Sequence, residues 1–223
     1  MIFIDYPDRD VLLLDLANKI AGELRNALEK HDRVSFCVPG GTTPGPVFDT
    51  LSGVNLDWAR VDVLLNDERW VPESSPRSNT TLLKERLITG AAAAATLVPL
   101  YCETDTPEEG LPSLVAGVEA CLPLDVLLLG MGADMHTASL FPGADQLELA
   151  LSDSAPTLLA MRAEGAGEPR ITLSAKALKT AMSTHVLITG DEKRAALEKA
   201  QDLTPEEAPI KALLAQATVH WAP

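Results

Sequence analysis

The chain has 223 residues, enough for one large α/β domain with a real core, and 46% of them are hydrophobic. Eighteen Lys and Arg against 32 Asp and Glu give a net charge of −14, which repels phosphate backbones and anionic lipid and argues against a nucleic-acid or membrane partner. Three cysteines without a CxxC pair argue against a disulfide framework or a zinc site and for a reducing compartment.

Residues 11–28 carry Leu13, Leu16, Ala17, Ile20, Leu24 and Leu28 at three- and four-residue spacing. That spacing predicts an amphipathic helix, opened by Asp8 or Asp10. The N-terminal MIFIDYPDRD has no basic segment before an apolar one and does not read as a signal peptide. RVSFCVPGG predicts a short buried strand ending in glycines, and VDVLL a second one running into NDERWVP. SNTTLLKERL predicts a helix opened by Ser78 or Asn79, LVPLY a third strand, and TPEEGLPSLVAGVEACL a helix capped by Thr106. GAAAAA at 90–95 reads as a helix end or a connector. DVLLLG is the plainest strand. RITLS and HVLITG predict two more, each followed by a helix (AKALKTAM and DEKRAALEKA). DLTPEEAP reads as a solvated loop, and a helix around PIKALLAQ and a strand TVHW close the chain.

Strands alternate with helices, and most strands are continuous apolar runs. This predicts a Rossmann-like, doubly wound, mainly parallel sheet with helices on both faces, in a single domain spanning 1–223. No apolar run reaches the ~20 residues that span a bilayer, so a cytoplasmic protein is expected. In such a sheet, ligands bind beyond the carboxyl ends of the strands, and four segments there carry chemistry.

Pro39-Gly40-Gly41-Thr42-Thr43-Pro44 follows the strand SFCV. Glycines admit a ligand close to the backbone, Thr42 or Thr43 can cap a helix, and its free N–H groups suit one terminal phosphate. The same residues also suit an ordinary strand-to-helix turn. Next, Asn66-Asp67-Glu68-Arg69 leads to Arg77 before a helix start, where a guanidinium and free N–H groups can hold that phosphate. Glu68 and Arg69 can instead pair internally. Third, GMGADMHTASLFPG places Asp134 two residues before His136, an imidazole suited to moving protons near neutral pH. His185 and His220 read as strand residues. Fourth, Lys193 in GDEK is either a further cation for the phosphate or a solvated helix lysine. No metal-ligand set and no Gly-x-Ser-x-Gly elbow is visible.

Taken together, PGGTTP, NDERWVP with RSN, GMGADMHTASLFPG, and the pair PRITL and GDEKRAAL occur in the order seen in 6-phosphogluconolactonases. The chain resembles that family over nearly its whole length, within the larger group that includes glucosamine-6-phosphate isomerases (deaminases). The resemblance implies hydrolysis of the lactone of 6-phosphogluconate, with no cofactor, no metal and a sugar-phosphate lactone as the small-molecule partner. A monomer or weak homodimer is expected. By position, Gly40, Gly41, Thr42, Arg77 and Lys193 would hold the phosphate, His136 would act on water and the ring oxygen, and Asp134 and Asp67 would flank the sugar or orient partners. Arg170, in PRITL, is a further site candidate beside Glu68 and Arg69. The chain departs from the family pattern where Pro39 and Thr42 replace serines and where Met135 replaces the usual glycine. A positive φ at 135 would strain the methionine. In deaminases the corresponding histidine segment carries a glutamate where this chain has Phe141, which cannot move a proton. The resemblance therefore favours the lactonase.

Overall fold

The computed structural model describes residues 1–223. In chain order the strands are β1 Ile2–Asp5, β2 Val34–Val38, β3 Val61–Leu65, β4 Asp67–Arg69, β5 Thr96–Val98, β6 Val126–Gly130, β7 Leu158–Met161, β8 Arg170–Leu173, β9 Ser183–Thr189 and β10 Ala217–Ala222. The helices are α1 Arg9–Leu28, α2 Gly45–Ser52, α3 Asn79–Arg86, α4 Pro107–Glu119, α5 Leu147–Leu151, α6 Ala175–Leu178, α7 Asp191–Ala200 and α8 Lys211–Leu214.

Seven strands form one parallel sheet in the order β1-β10-β9-β6-β2-β3-β5. Every residue of β2 is buried, as are the first four of β6 and the central five of β9. Strands buried end to end must be covered on both faces, which is why they read as unbroken apolar runs. Sixty buried residues form one continuous cluster. No helix is long and apolar enough to cross a membrane.

Helix α1 presents Leu12, Leu16, Ala17, Ile20, Leu24 and Leu28 to this core, with Leu12 rather than Leu13 fully buried. Asp8 caps it by accepting from the Val11 N–H at 2.8 Å. Ser78 and Thr106 cap α3 and α4 in the same way. Helix α2 differs from expectation: Pro44 occupies its N-cap position and neither Thr42 nor Thr43 supplies a capping bond. Proline pre-sets a helical φ there, so the turn closes without a hydroxyl.

Three further differences shape the site. RITL does not join the parallel sheet. It is β8, the middle strand of a separate antiparallel sheet of order β4-β8-β7. The DER segment, expected only to follow the end of the strand VDVLL, is itself a strand, β4. Charged residues in a strand carry no apolar signature, and they are tolerated because Asp67 and Glu68 find buried partners elsewhere in the chain. The expected helices AKALKTAM and PIKALLAQ shrink to the single turns α6 and α8, the strand LVPLY shortens to β5, and GAAAAA is a 3-10 turn.

One polar thread runs through the core beside α1. Tyr6 Oη donates to Asp15 at 2.6 Å and lies 2.9 Å from His220 Nδ1. His220 Nε2 lies 3.0 Å from His185 Nδ1, and His185 Nε2 lies 2.8 Å from Glu23. Both histidines are in strands and both are buried. Burial pushes the His220 pKa down to about 3, helped by His185 and Lys19 and opposed by Asp15 and Glu23.

Candidate active site

The chain crosses from β2 to β3 and β5 on one side, then returns to β6, β9 and β10 on the other. The β2/β6 pair is therefore the switch point, where diverging loops leave a crevice beyond the carboxyl ends. A cavity of about 560 Å³ lies there. Gly40 and Gly41 after β2, Asn66 after β3, Gly130, Met131, Gly132, Asp134 and His136 at and beyond the end of β6, and Lys193 in the first turn of α7 reach it from the parallel sheet. Asp67, Arg69 and Arg170 reach it from the small sheet.

The loop after β6 holds the imidazole. The Gly132 N–H donates to the His136 carbonyl and the Met135 N–H to the Gly132 carbonyl, both at 3.0 Å. A Cβ on Gly132 would overlap the His136 ring, so only glycine fits. Met135 has φ +66°, the left-handed conformation that strains a non-glycine residue, and Ala138 has φ +50°. Asp134 Oδ1 accepts from the His136 N–H at 3.2 Å and lies 2.5 Å from its Nδ1. That contact commits Nδ1 to the carboxylate and leaves Nε2 for the cavity. Phe141 packs against the ring, centroids 4.4 Å apart.

The cavity lining also carries four cations: Arg69, Arg77, Arg170 and Lys193. In a chain of net charge −14 this is a local concentration of positive charge, as anion binding requires. Arg77, about half exposed, pairs with Glu168, and the pairing holds the Glu168 carboxyl below its usual pKa. Arg69 donates to the Arg77 carbonyl at 2.6 Å and to Asn79 Oδ1 at 3.0 Å. Arg170 lies 3.6 Å from Asp67 Oδ2 and donates to the Ala166 carbonyl at 3.0 Å. Desolvation pushes its pKa below the ordinary guanidinium value, with Asp67 opposing. Lys193 makes no salt bridge or side-chain hydrogen bond within the chain. Three buried polar atoms of the lining, Asn66 Oδ1, Arg69 Nε and Arg170 Nε, have no partner. Groups left so are open to a polar ligand. A Cβ on Gly40 would overlap Asn79, so this glycine lets the β2 loop close onto the start of α3. No group of three or more His, Cys, Asp or Glu side chains is placed to hold a metal ion.

Residues 7–221 match the family model for glucosamine-6-phosphate isomerases and 6-phosphogluconolactonase. The chain belongs to this family. It is 42% identical to a 6-phosphogluconolactonase from Mesorhizobium japonicum, over 98% of this chain and 94% of that one. It is 41% identical to a 6-phosphogluconolactonase from Rhizobium meliloti, over 93% of each. The crystal structure of a 6-phosphogluconolactonase from Shewanella baltica superposes with a TM-score of 0.94 at 33% identity, covering 100% of this chain and 98% of that one.

Against this family fold, the expected site residues divide. The cavity brings together Gly40, Gly41, Asp67, Arg69, Arg77, Asp134, His136, Arg170 and Lys193. Thr42 is exposed and outside the lining, where Thr43 stands instead. The turn ahead of α2 directs the second threonine inward, and no spacing rule distinguishes the two. Glu68 also lies outside. It is fully buried behind the site and accepts from the N–H groups of Arg69, Asn79 and Thr80 at 2.7–2.8 Å and from the Thr80 hydroxyl at 2.7 Å. Burial raises its pKa against those bonds. Glu68 thus braces the start of α3, and the internal reading of this residue is the one the geometry supports. Asp134, not Asp67, touches His136. Sequence reasoning missed Asn66, Asn79, Ser139 and the cavity loop Glu164 to Ala166. Asn66, lying directly past a strand end, carried a signal that could have found it. Burial pushes the thiol pKa of Cys37 well up and that of Cys121 up to about 11. Neither is a nucleophile of this site.

Proposed function

We propose that this chain hydrolyses 6-phospho-D-glucono-1,5-lactone to 6-phosphogluconate, the lactone step of the oxidative pentose phosphate pathway. The observation that carries this reading is the His136 imidazole, held through Nδ1 by Asp134 and presenting Nε2 to a cavity with four cations. The names of the relatives point the same way.

In this reading the substrate phosphate sits among Arg77, Lys193 and the N–H groups of the Gly40–Thr43 turn, far from the reacting carbon, and supplies orientation. His136 Nε2 removes a proton from water as the water oxygen bonds to the lactone carbonyl carbon. Asp134 stabilises the imidazolium that forms. When the carbon–ring-oxygen bond breaks, His136 returns the proton to the leaving oxygen. Arg170 and the Met131 N–H, both of residues that line the cavity, would serve the developing oxyanion. A placed base supplies roughly 10²–10⁴ in rate and one oxyanion donor roughly 10²–10³. No covalent intermediate is needed for an activated ester. Phe141 packs against the imidazole at the position where the deaminase pattern has a proton-moving glutamate.

The test is hydrolysis of freshly prepared 6-phosphogluconolactone by the purified protein, against the spontaneous rate at the same pH. A large excess over buffer is expected. A rate equal to buffer, with ammonia released from glucosamine 6-phosphate, would replace this reading with the deaminase.

A further inference from the structure

Left-handed conformations at non-glycine residues persist only where the surroundings over-determine them. Met135 and Ala138 bracket His136 with two such conformations, so something must hold the loop. Three restraints are local or reach other elements: the Thr137 hydroxyl donates to the Gly130 carbonyl at 2.8 Å, the Leu140 N–H to the Thr137 carbonyl, and the Ile210 N–H to the Met135 carbonyl. Ser139 makes both hydrogen bonds that tie residues 131–143 to the small sheet. Its hydroxyl donates to Asp67 Oδ2 at 2.5 Å, and its N–H donates to Thr172 Oγ1 at 3.2 Å.

Asp67 and Thr172 are direct partners across the β4–β8 ladder. Ser139, wholly buried, is therefore plugged into one facing pair of that sheet. The same Asp67 oxygen lies 3.6 Å from Arg170 Nη1. One buried carboxylate oxygen thus fixes the loop that carries the imidazole and sits beside a guanidinium of the cavity lining. No hydrogen bond or ion pair joins Asp67 to His136 itself.

We propose that Ser139 and Asp67 are a positioning pair for His136. Asp67 acts through the Ser139 hydroxyl, and the pair sets the distance between the imidazole and the cationic wall. This rests on the lactone-hydrolysis reading for its activity test. A displacement of about 1 Å in a reacting group costs on the order of 10²-fold in rate, and Ser139 is only three residues from His136.

The test is a cycle of S139A, D67A and the double variant, with kcat, KM and melting temperature measured for each. S139A is expected to lower kcat by roughly 10- to 100-fold while KM stays within about threefold. The double variant is expected to fall no further than the weaker single, because both changes remove one tether. Losses that multiply, or S139A at the wild-type kcat, would overturn the pairing. Asp67→Asn is the conservative counterpart, since its amide oxygen still accepts the serine hydroxyl. Its kcat should lie well above that of D67A, because the serine tether is kept. A loss as deep as that of D67A would show that the carboxylate acts directly and would also overturn the proposal. If the wild-type protein turns over no lactone, the substrate reading has failed on its own. The pair is then read from the NMR signals of the His136 ring in the free protein. One sharp set in the wild type, shifted or broadened in S139A, supports the pairing, and unchanged signals refute it.

Discussion

Replacing Met135 by glycine and by alanine sets two physical terms against each other. Met135 is only 9% exposed, and truncating a buried methionine to alanine costs about 2–5 kcal/mol. Its backbone has φ +66°, a conformation that costs an L-residue roughly 1–2 kcal/mol. Glycine removes that strain but returns about 0.5–1 kcal/mol through the extra freedom of the unfolded chain. Both variants lose the burial of every methionine atom beyond Cβ, so both should be less stable than the wild type. Their difference isolates the backbone, and glycine should exceed alanine by up to about 1 kcal/mol, or roughly 2–4 °C in Tm for a chain of this size. Thermal melting followed by circular dichroism, repeated as urea unfolding, gives both numbers. An alanine variant more stable than the glycine variant would refute the left-handed assignment. A glycine variant above the wild type would show that burial is not what retains the methionine.

His136→Ala should lower kcat by at least about 10²-fold while affinity for 6-phosphogluconate changes little; full-rate turnover in a stopped-flow or coupled assay would remove His136 from the mechanism. Asp134→Asn should lower kcat less than His136→Ala and leave KM near wild type, since the imidazole stays but loses the group that stabilises its charge. Arg77→Ala should raise KM about tenfold with kcat nearly unchanged, the pattern of an interaction made equally in ground and transition states; an unchanged KM would sink the phosphate assignment. For pH, His220 is held neutral by burial with its pKa down at about 3, while the unfolded chain takes up the proton near 6.5. Stability should therefore fall as pH drops below 6.5, with a slope approaching about 1.4 kcal/mol per unit from this group. The Glu23 carboxyl, lowered by its hydrogen bond to His185 despite burial, adds a further loss once pH falls through its folded value. Urea midpoints at pH 7.0 and 5.5 check this, and a His220→Phe variant with the same acid slope would refute the attribution.

The elements that were legible share one property: their signal is local. Apolar runs, broken by one or two polar residues in β3 and β10, marked β2, β3, β6, β9 and β10, and three- and four-residue spacing marked α1. Asp134 and His136 were found as a pair because two residues of loop bring them into contact. What stayed hidden depends on partners far along the chain. β4 is made of Asp67, Glu68 and Arg69, which look like a loop until β8 and the start of α3 supply their partners. β8 was visible as a strand, but its sheet was not, because nothing in RITL distinguishes a parallel from an antiparallel neighbour. β1 is an edge strand with three of four residues exposed, too short and too open to show a pattern. Ser139 and Asn66 carry no periodicity at all. Their roles come from 72 residues of separation in one case and 62 in the other.

The pairing of β1 with β10, Ile2 beside Thr218 and Asp5 beside Trp221, has a consequence for how the protein is made. β1 has no other neighbour in the sheet, so it leaves the ribosome long before the strand that will hold it exists. Until then Ile2 and Phe3 have no sheet to lie against. Deleting the last six or seven residues would thus release both ends of the chain, together with the Tyr6–His220 contact that fastens α1 to the sheet.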